Sequence, residues 1–334
     1  MEINGIFFAL FLVFIVLMLA LDLGVMHRKD REVTLREAAL QTLMWVALAA
    51  GFACLVWLRG EWITGIDPDS FATSDALRAY RGDLAQQFVA GYLLEESLSI
   101  DNIFVMIMIF ASFGIEKQYY HRVLFWGIFG AIVLRFIFIF TLGALVSRFA
   151  WLLAVFGIVL LYSGVRMMRR TSDENIDTVN HPVVRMVNKV IPVCKEPHGH
   201  DFFHRESTTA NTEKTQLMVT PLFVVLMVIE FSDIIFAVDS IPAVFSVTRH
   251  PMIVYTSNIF AIMGLRSLFF LLSGMAERFW LLHYGLGVLL CFIGAKMILE
   301  QWPGWEVPTL ASLGVIVAIL VLSITLSMLI HPRK

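Results

Sequence analysis

Glu230-Phe231-Ser232-Asp233-Ile234-Ile235-Phe236-Ala237-Val238-Asp239-Ser240-Ile241-Pro242-Ala243 sets three acids inside an apolar run that extends from about 217 to 246. Such a run is long enough to cross a bilayer as a helix, which takes about 20 mostly apolar residues. A charge at that depth costs roughly 2.5–3.5 kcal/mol on insertion scales. A second stretch has the same character: Leu94-Glu95-Glu96-Ser97-Leu98-Ser99-Ile100-Asp101-Asn102. The two are related. Leu98–Ile103 matches Phe236–Ile241, and six residues before each aspartate stands another acid, Glu95 in one copy and Asp233 in the other.

Working outward, nine segments read as spans: roughly 4–26, 38–58, 85–113, 122–146, 150–170, 217–246, 253–273, 280–299 and 308–330. The composition agrees, with 58% hydrophobic and 16% charged residues against about 25% charged in soluble domains. The expected fold is an all-α polytopic membrane protein, one transporter domain over 1–334. The first segment lacks a basic leader and reads as a retained span. Three distant cysteines make no disulfide framework, and a net charge of −2 gives no reason to expect a nucleic-acid partner. Of the 25 Lys and Arg, an alternating nine-span path puts 17 on one side, 5 on the other and 3 within spans. The positive-inside rule then places the N-terminus outside and the C-terminus in the cytoplasm of a bacterial inner membrane. Residues 171–216 form the one large loop, expected to be a cytoplasmic linker with a short helix at 181–191. The outer loop 59–84 is expected to hold a short surface helix.

The repeat continues beyond the acids. Gly130–Arg135 matches Ala261–Arg266, and Ser163–Met167 matches Ile293–Met297. Each copy, about 85–170 and 217–299, holds three spans, so the second enters the membrane from the opposite side. This three-plus-three inverted pattern is that of secondary transporters, whose sites form where repeats meet near the midplane.

Seven carboxylates fall within spans: Asp22, Glu95, Glu96, Asp101, Glu230, Asp233 and Asp239. Only Arg135 and Arg266 lie deep enough to oppose them, and the excess negative charge calls for a cation. Asp22 lies near His27 and Arg28 and suits a surface ion pair as well as a ligand. Glu96 has Ile234 as its repeat counterpart and is expected to face water or a basic neighbour. Arg166 and Lys296 are expected to snorkel to the interface. Glu95, Ser99 and Asn102 share a helix face, while Asp101 lies about 120° away on a regular helix. Asp233 and Asp239 are offset alike, so one helix face cannot aim both acids at one ion. Pro242 removes the bond to Val238, which predicts interrupted helices near 238–243 and, more weakly, 100–103. Carboxylates, an amide and the hydroxyls of Ser99 and Ser240 are hard ligands that suit Mg²⁺, Ca²⁺ or Mn²⁺. A rival metal site, Cys194-x3-His198-x-His200-x3-His204, matches no standard zinc pattern.

These residues resemble the TerC/Alx family of bacterial integral membrane proteins. The resemblance rests on the two acidic stretches and on Ser257-Asn258-Ile259-Phe260-Ala261-Ile262-Met263-Gly264-Leu265-Arg266, and it covers the chain from Asp22 onward. It implies a LysE-superfamily transporter fold and Mn²⁺ as an exported substrate, a choice that oxygen ligands alone leave open. It also implies links to tellurite resistance and to metal loading of secreted or membrane metalloproteins. Carried over by motif, the ion-binding residues are Glu95, Asp101, Glu230, Asp233 and Asp239; Asn102 joins them from the helix geometry, with Arg135 and Arg266 as counter-charges.

The expected function is therefore Mn²⁺ export, with cytoplasmic entry, a midplane seat and release after the repeats rock. Release needs charge compensation, and proton antiport is one way to supply it. No organic cofactor is expected. A metal-dependent membrane scaffold that does not itself transport is the rival reading. An enzyme is not expected, since no paired nucleophile and base and no H-E-x-x-H appear.

Overall fold

The computed structural model describes residues 4–26, 34–149, 151–169, 184, 192–193, 201–207, 215–273, 281–302 and 307–329. Nine long helices stand among them: α1 (Gly5–Met26), α2 (Leu35–Thr64), α3 (Ser74–Ser112), α4 (Tyr120–Arg148), α5 (Leu152–Arg169), α6 (Pro221–Phe245), α7 (Pro251–Ser273), α8 (Leu282–Leu299) and α9 (Thr309–Leu329). Their number and order match the expected spans. The chain is an all-α, polytopic membrane protein. Helices α2, α4 with its leading 3₁₀ turn, α5, α6, α7 and α9 are long and apolar enough to cross a bilayer, and α1 and α8 contain shorter apolar stretches. Isoleucine, leucine and valine side chains on α1, α2 and α9 are widely exposed, as a hydrocarbon solvent requires. Trp62, Trp151 and Trp302 are exposed at helix ends that the alternating path puts at one membrane face, where amphipathic rings favour the headgroup level.

Local chemistry sets the helix limits. Thr34 and Glu37 form a reciprocal capping box at the start of α2, and Gly65 ends it with φ 72, a left-handed turn that glycine adopts without a Cβ penalty. Arg59 has non-helical backbone angles and kinks α2. The Thr73 side chain accepts from the Ala76 N–H to start α3. Pro221 opens α6, where its missing N–H costs nothing.

Three expectations change. The helices run further than the hydropathy limits, so 59–84 holds only a 3₁₀ turn at Pro68–Ser70 between the extended ends of α2 and α3. Helix α6 passes through Pro242 and α3 through 100–103 without a break. Pro242 lies close to the C-terminus of α6, where Ser246 N bonds its carbonyl at 3.1 Å; one missing N–H in the last turn does not unwind the helix. The loop is also more than a linker. Strands β1 (Phe203–Ser207) and β2 (Thr215–Val219) pair antiparallel, with Phe203 set against Phe223 of α6 at 5.0 Å between ring centroids. The expected helix at 181–191 and the residues Cys194, His198 and His200 lie outside the described residues apart from Val184; His204 is in β1.

The helices pack in a specific pattern. Helix α7 is buried along nearly its whole length against α2, α3 and α4, while α4 also packs on α6, and α5 on α8. The α5–α8 seam is closed by four glycines. A Cβ on Gly157 would lie 2.8 Å from the Gly294 carbonyl oxygen, and one on Gly294 would lie 2.6 Å from that of Gly157. Gly164 and Gly287 face each other in the same way, at 2.6 and 2.9 Å. Only glycine lets the two backbones approach so closely.

Candidate cation-binding core

Asp233 is the central residue of α6, and Arg135 lies one residue past the centre of α4. The two meet there. Arg135 Nη2 donates to Asp233 Oδ1 at 3.0 Å, and Nε donates to Oδ2 at 3.4 Å. Arg135 Nη1 donates to Glu95 of α3 and, at 3.3 Å, to Asn258 Oδ1 of α7. Asn258 Nδ2 donates to Glu95 Oε2 at 2.9 Å, and Asn102 Nδ2 donates to Asp233 Oδ1 at 3.0 Å. Four helices thus close one polar knot, and each of its five side chains belongs to a residue at most 2% exposed. Glu95 and Asp233 hold matching places in the two acidic stretches, and both reach the same guanidinium. Two carboxylates against one guanidinium leave a formal charge of −1.

Unused acceptors lie in the knot and along its helices. Asn102 Oδ1 is buried without a hydrogen-bond partner, as are the Ser99 and Ser240 hydroxyls. Buried polar atoms are ordinarily paired, so an unpartnered amide oxygen in a net negative centre, with unpartnered hydroxyls on the same faces of α3 and α6, suits a cation's coordination shell. The donor set, carboxylate and amide with nearby hydroxyls, is of the hard oxygen type.

The remaining expected residues do not converge on this point. Glu230 lies against Gly130 of α4, where a Cβ would overlap its carboxylate, and its Oε2 is buried and unpartnered. Asp239 is half-buried and accepts from Ser163 Oγ of α5 at 3.0 Å. Asp101 is half-buried, and neither it nor Arg266 is without a partner. The side chain of Asp22 lies outside the described residues. Among the described residues no three His, Cys, Asp or Glu side chains group as a metal site; Arg135 stands between Glu95 and Asp233. With no break in α3 or α6, Asp101 and Asp239 keep the angular offset that a regular helix imposes.

Two readings of charged residues are corrected. Glu96 does not face water: its Oε2 is buried, and it pairs with Tyr92 one turn earlier on α3. The helix turns it away from the knot and toward Trp45 and Gly264. Lys296 does not snorkel. It is 5% exposed and donates to the Ser246 carbonyl at 2.9 Å, with Glu300 at 3.6 Å. It lines a cavity of about 320 Å³ formed by the ends of α5, α6, α8 and α9, with Ser246, Thr248, Arg249, Glu300 and Thr309. A second gap, about 10 Å³, is lined by Met106, Leu124, Ile128, Ala131, Leu265 and Asp233. Asn258 and Ser163 were not singled out from the sequence as site residues. The signal for each was present, a lone amide in an apolar span and a serine heading the segment Ser163–Met167, which matches Ile293–Met297.

The description "Integral membrane protein TerC family" matches residues 80–334. That range holds every residue of the knot. The chain belongs to the TerC family. It is 42% identical to the uncharacterized membrane protein STKORF319 of Myxococcus xanthus, over 96% of this chain and 91% of that one. It is 40% identical to the putative membrane-bound redox modulator Alx of Escherichia coli strain K12, over 97% and 94%. It is 34% identical to the tellurium resistance protein TerC of Serratia marcescens, over 96% and 94%. No solved structure matches the chain.

Proposed function

We propose that this TerC-family protein is a divalent-cation transporter whose cargo is Mn²⁺, moved outward across a bacterial inner membrane. The observation that carries the reading is the knot of Glu95, Asp233, Asn102 and Asn258 at the middle of the helices, with more negative charge than Arg135 balances and with unpartnered oxygens beside it. Glu95, Asp233 and Asn102 form the seat. Glu230, Asp101 and Asp239 are staging acids toward its two ends. The inverted repeat is part of the same proposal. Its supports are the convergence of the equivalent acids, the packing of α3 on α7 and of α4 on α6, and the reciprocal glycine contacts of α5 and α8. The small apolar gap lies on the side of the α4 N-terminus, assigned to the cytoplasm by the charge asymmetry. The cavity around Lys296 lies at the opposite ends and serves as the outer vestibule.

A relative named for tellurium resistance and others named as redox modulators fit a membrane protein that changes metal content. Charge compensation by protons is the proposed coupling. The test is Mn²⁺, Ca²⁺ and Mg²⁺ flux into liposomes carrying the purified chain, with and without a pH gradient. Saturable Mn²⁺ flux that Asp233→Asn abolishes supports the reading. A wild-type protein that moves no ion is instead a scaffold, for which the exposed Phe203 of the β1–β2 hairpin offers a docking surface.

A further inference from the structure

We propose that Arg135 is a tethered cation that occupies the cargo seat between cycles and leaves it when the cargo arrives; this rests on the transport reading above. Arg135 holds the groups a divalent ion needs. Its guanidinium engages Asp233 through both carboxylate oxygens, Glu95 through one, and the Asn258 amide oxygen. A cation cannot reach both carboxylates while Arg135 stays.

A second seat lies one turn away. Glu230 precedes Asp233 by three residues on α6, which places the two side chains next to each other on the helix surface. Its Oε2 is buried and unpartnered. Its carboxylate lies over Gly130, five residues before Arg135 on α4 and about 140° around that helix, so the guanidinium must swing around the helix as well as lean toward its N-terminus to reach it. A guanidinium released by Asp233 therefore has a carboxylate to receive it. The charges close in the loaded arrangement only. With Arg135 in the seat, one positive group faces two carboxylates. With Arg135 on Glu230, that pair is neutral, and Glu95 and Asp233 together match a divalent ion.

The device does two things for a carrier. It keeps the empty protein from holding two bare carboxylates side by side in one seat while it reorients, a state whose cost is counted in kcal/mol per charge. It also weakens cargo binding, because the competent state is only part of the population, and that favours release.

The experiment uses the full chain in liposomes and reads two modes, net Mn²⁺ flux and exchange of labelled for unlabelled Mn²⁺. Arg135→Gln is expected to cut net flux by about tenfold or more, because the empty carrier cannot return, while exchange half-saturates at about tenfold lower Mn²⁺. Arg135→Lys restores net flux in part. Glu230→Gln removes the second seat, so half-saturation rises by about tenfold in both modes. An Arg135→Gln protein that folds yet loses both modes alike, or keeps its net flux, overturns the proposal and leaves a fixed structural arginine. If Arg135→Gln does not fold, Glu230→Gln decides: half-saturation equal to wild type overturns the proposal. A wild-type chain that moves Mn²⁺ in neither mode overturns the transport reading itself, and this inference with it.

Discussion

A partly buried arginine and a fully buried one make opposite uses of carboxylates. Arg81 of α3 meets Glu61 of α2 through a two-point fork, Nε to Oε2 at 2.6 Å and Nη2 to Oε1 at 2.5 Å. The pair is one charge against one, near the ends of its helices, with the Tyr80 hydroxyl donating to Thr64 Oγ1 beside it. Arg135 instead stands at mid-helix with two carboxylates and two amides. The first arrangement leaves no charge unmatched and ties α2 to α3. The second leaves one negative charge and several acceptors in excess, which is a poor way to tie helices and a suitable way to receive a cation. Charge balance separates a structural ion pair from a candidate site in this fold.

The largest effects should follow from the unbalanced cluster. Asp233→Asn and Glu95→Gln are each expected to lower Mn²⁺ flux about 100-fold or more, because affinity for a hard cation follows the charge count of its ligands. Their melting temperatures in detergent should move little, since each substitution leaves Arg135 one carboxylate and brings the knot to neutrality. A collapse of the fold in either variant would make the cluster structural, like Glu61–Arg81.

The balanced pair should behave in the reverse way. Arg81→Ala leaves Glu61 buried and unmatched, and breaking such a pair costs about 3 kcal/mol. Thermal unfolding in detergent should show it, with flux per folded molecule retained. Replacing both partners by leucine should recover most of the stability, as apolar substitution of a buried pair often does. The same double replacement at Glu95 and Arg135 should not recover flux.

These expectations depend on how much of the molecule the sequence encodes locally. The nine helices were legible because each apolar run is about one bilayer thick, and Glu95 and Asp233 because they repeat. What hydropathy could not supply was azimuth and reach. Asn258 enters the knot only because α7 is enclosed on nearly every side, a property of packing. The expected break at Pro242 failed because a proline near a helix end removes one hydrogen bond without freeing the chain. Glu96 sits next to Glu95 in sequence yet points away from the knot, since adjacent helical residues are separated by about 100°. The limits of α2 and α3 were set by capping residues outside the apolar runs, which a hydropathy window does not weigh.

A smaller effect is expected at the α5–α8 seam. Gly294→Ala places a methyl group 2.6 Å from the Gly157 carbonyl oxygen, so the helices must separate, at about 1–3 kcal/mol. Unfolding measurements should show that loss, and flux should fall only as folded protein falls. The smallest effect belongs to the half-buried acid outside the knot. Asp239→Asn keeps a partner for Ser163 and should lower flux by about twofold to fivefold, less than a ligand of the seat, for which supporting shells set the scale at about 10–100-fold. Equal losses in Asp239→Asn and Asp233→Asn would erase the distinction between seat and staging residues.

The most direct test of the central claim is equilibrium Mn²⁺ binding to the purified full chain, followed by the paramagnetic resonance signal of free Mn²⁺. One saturable site in the wild-type protein, lost in both Asp233→Asn and Glu95→Gln but retained in Arg81→Ala, is the predicted result. Undiminished binding in Asp233→Asn and Glu95→Gln would contradict it.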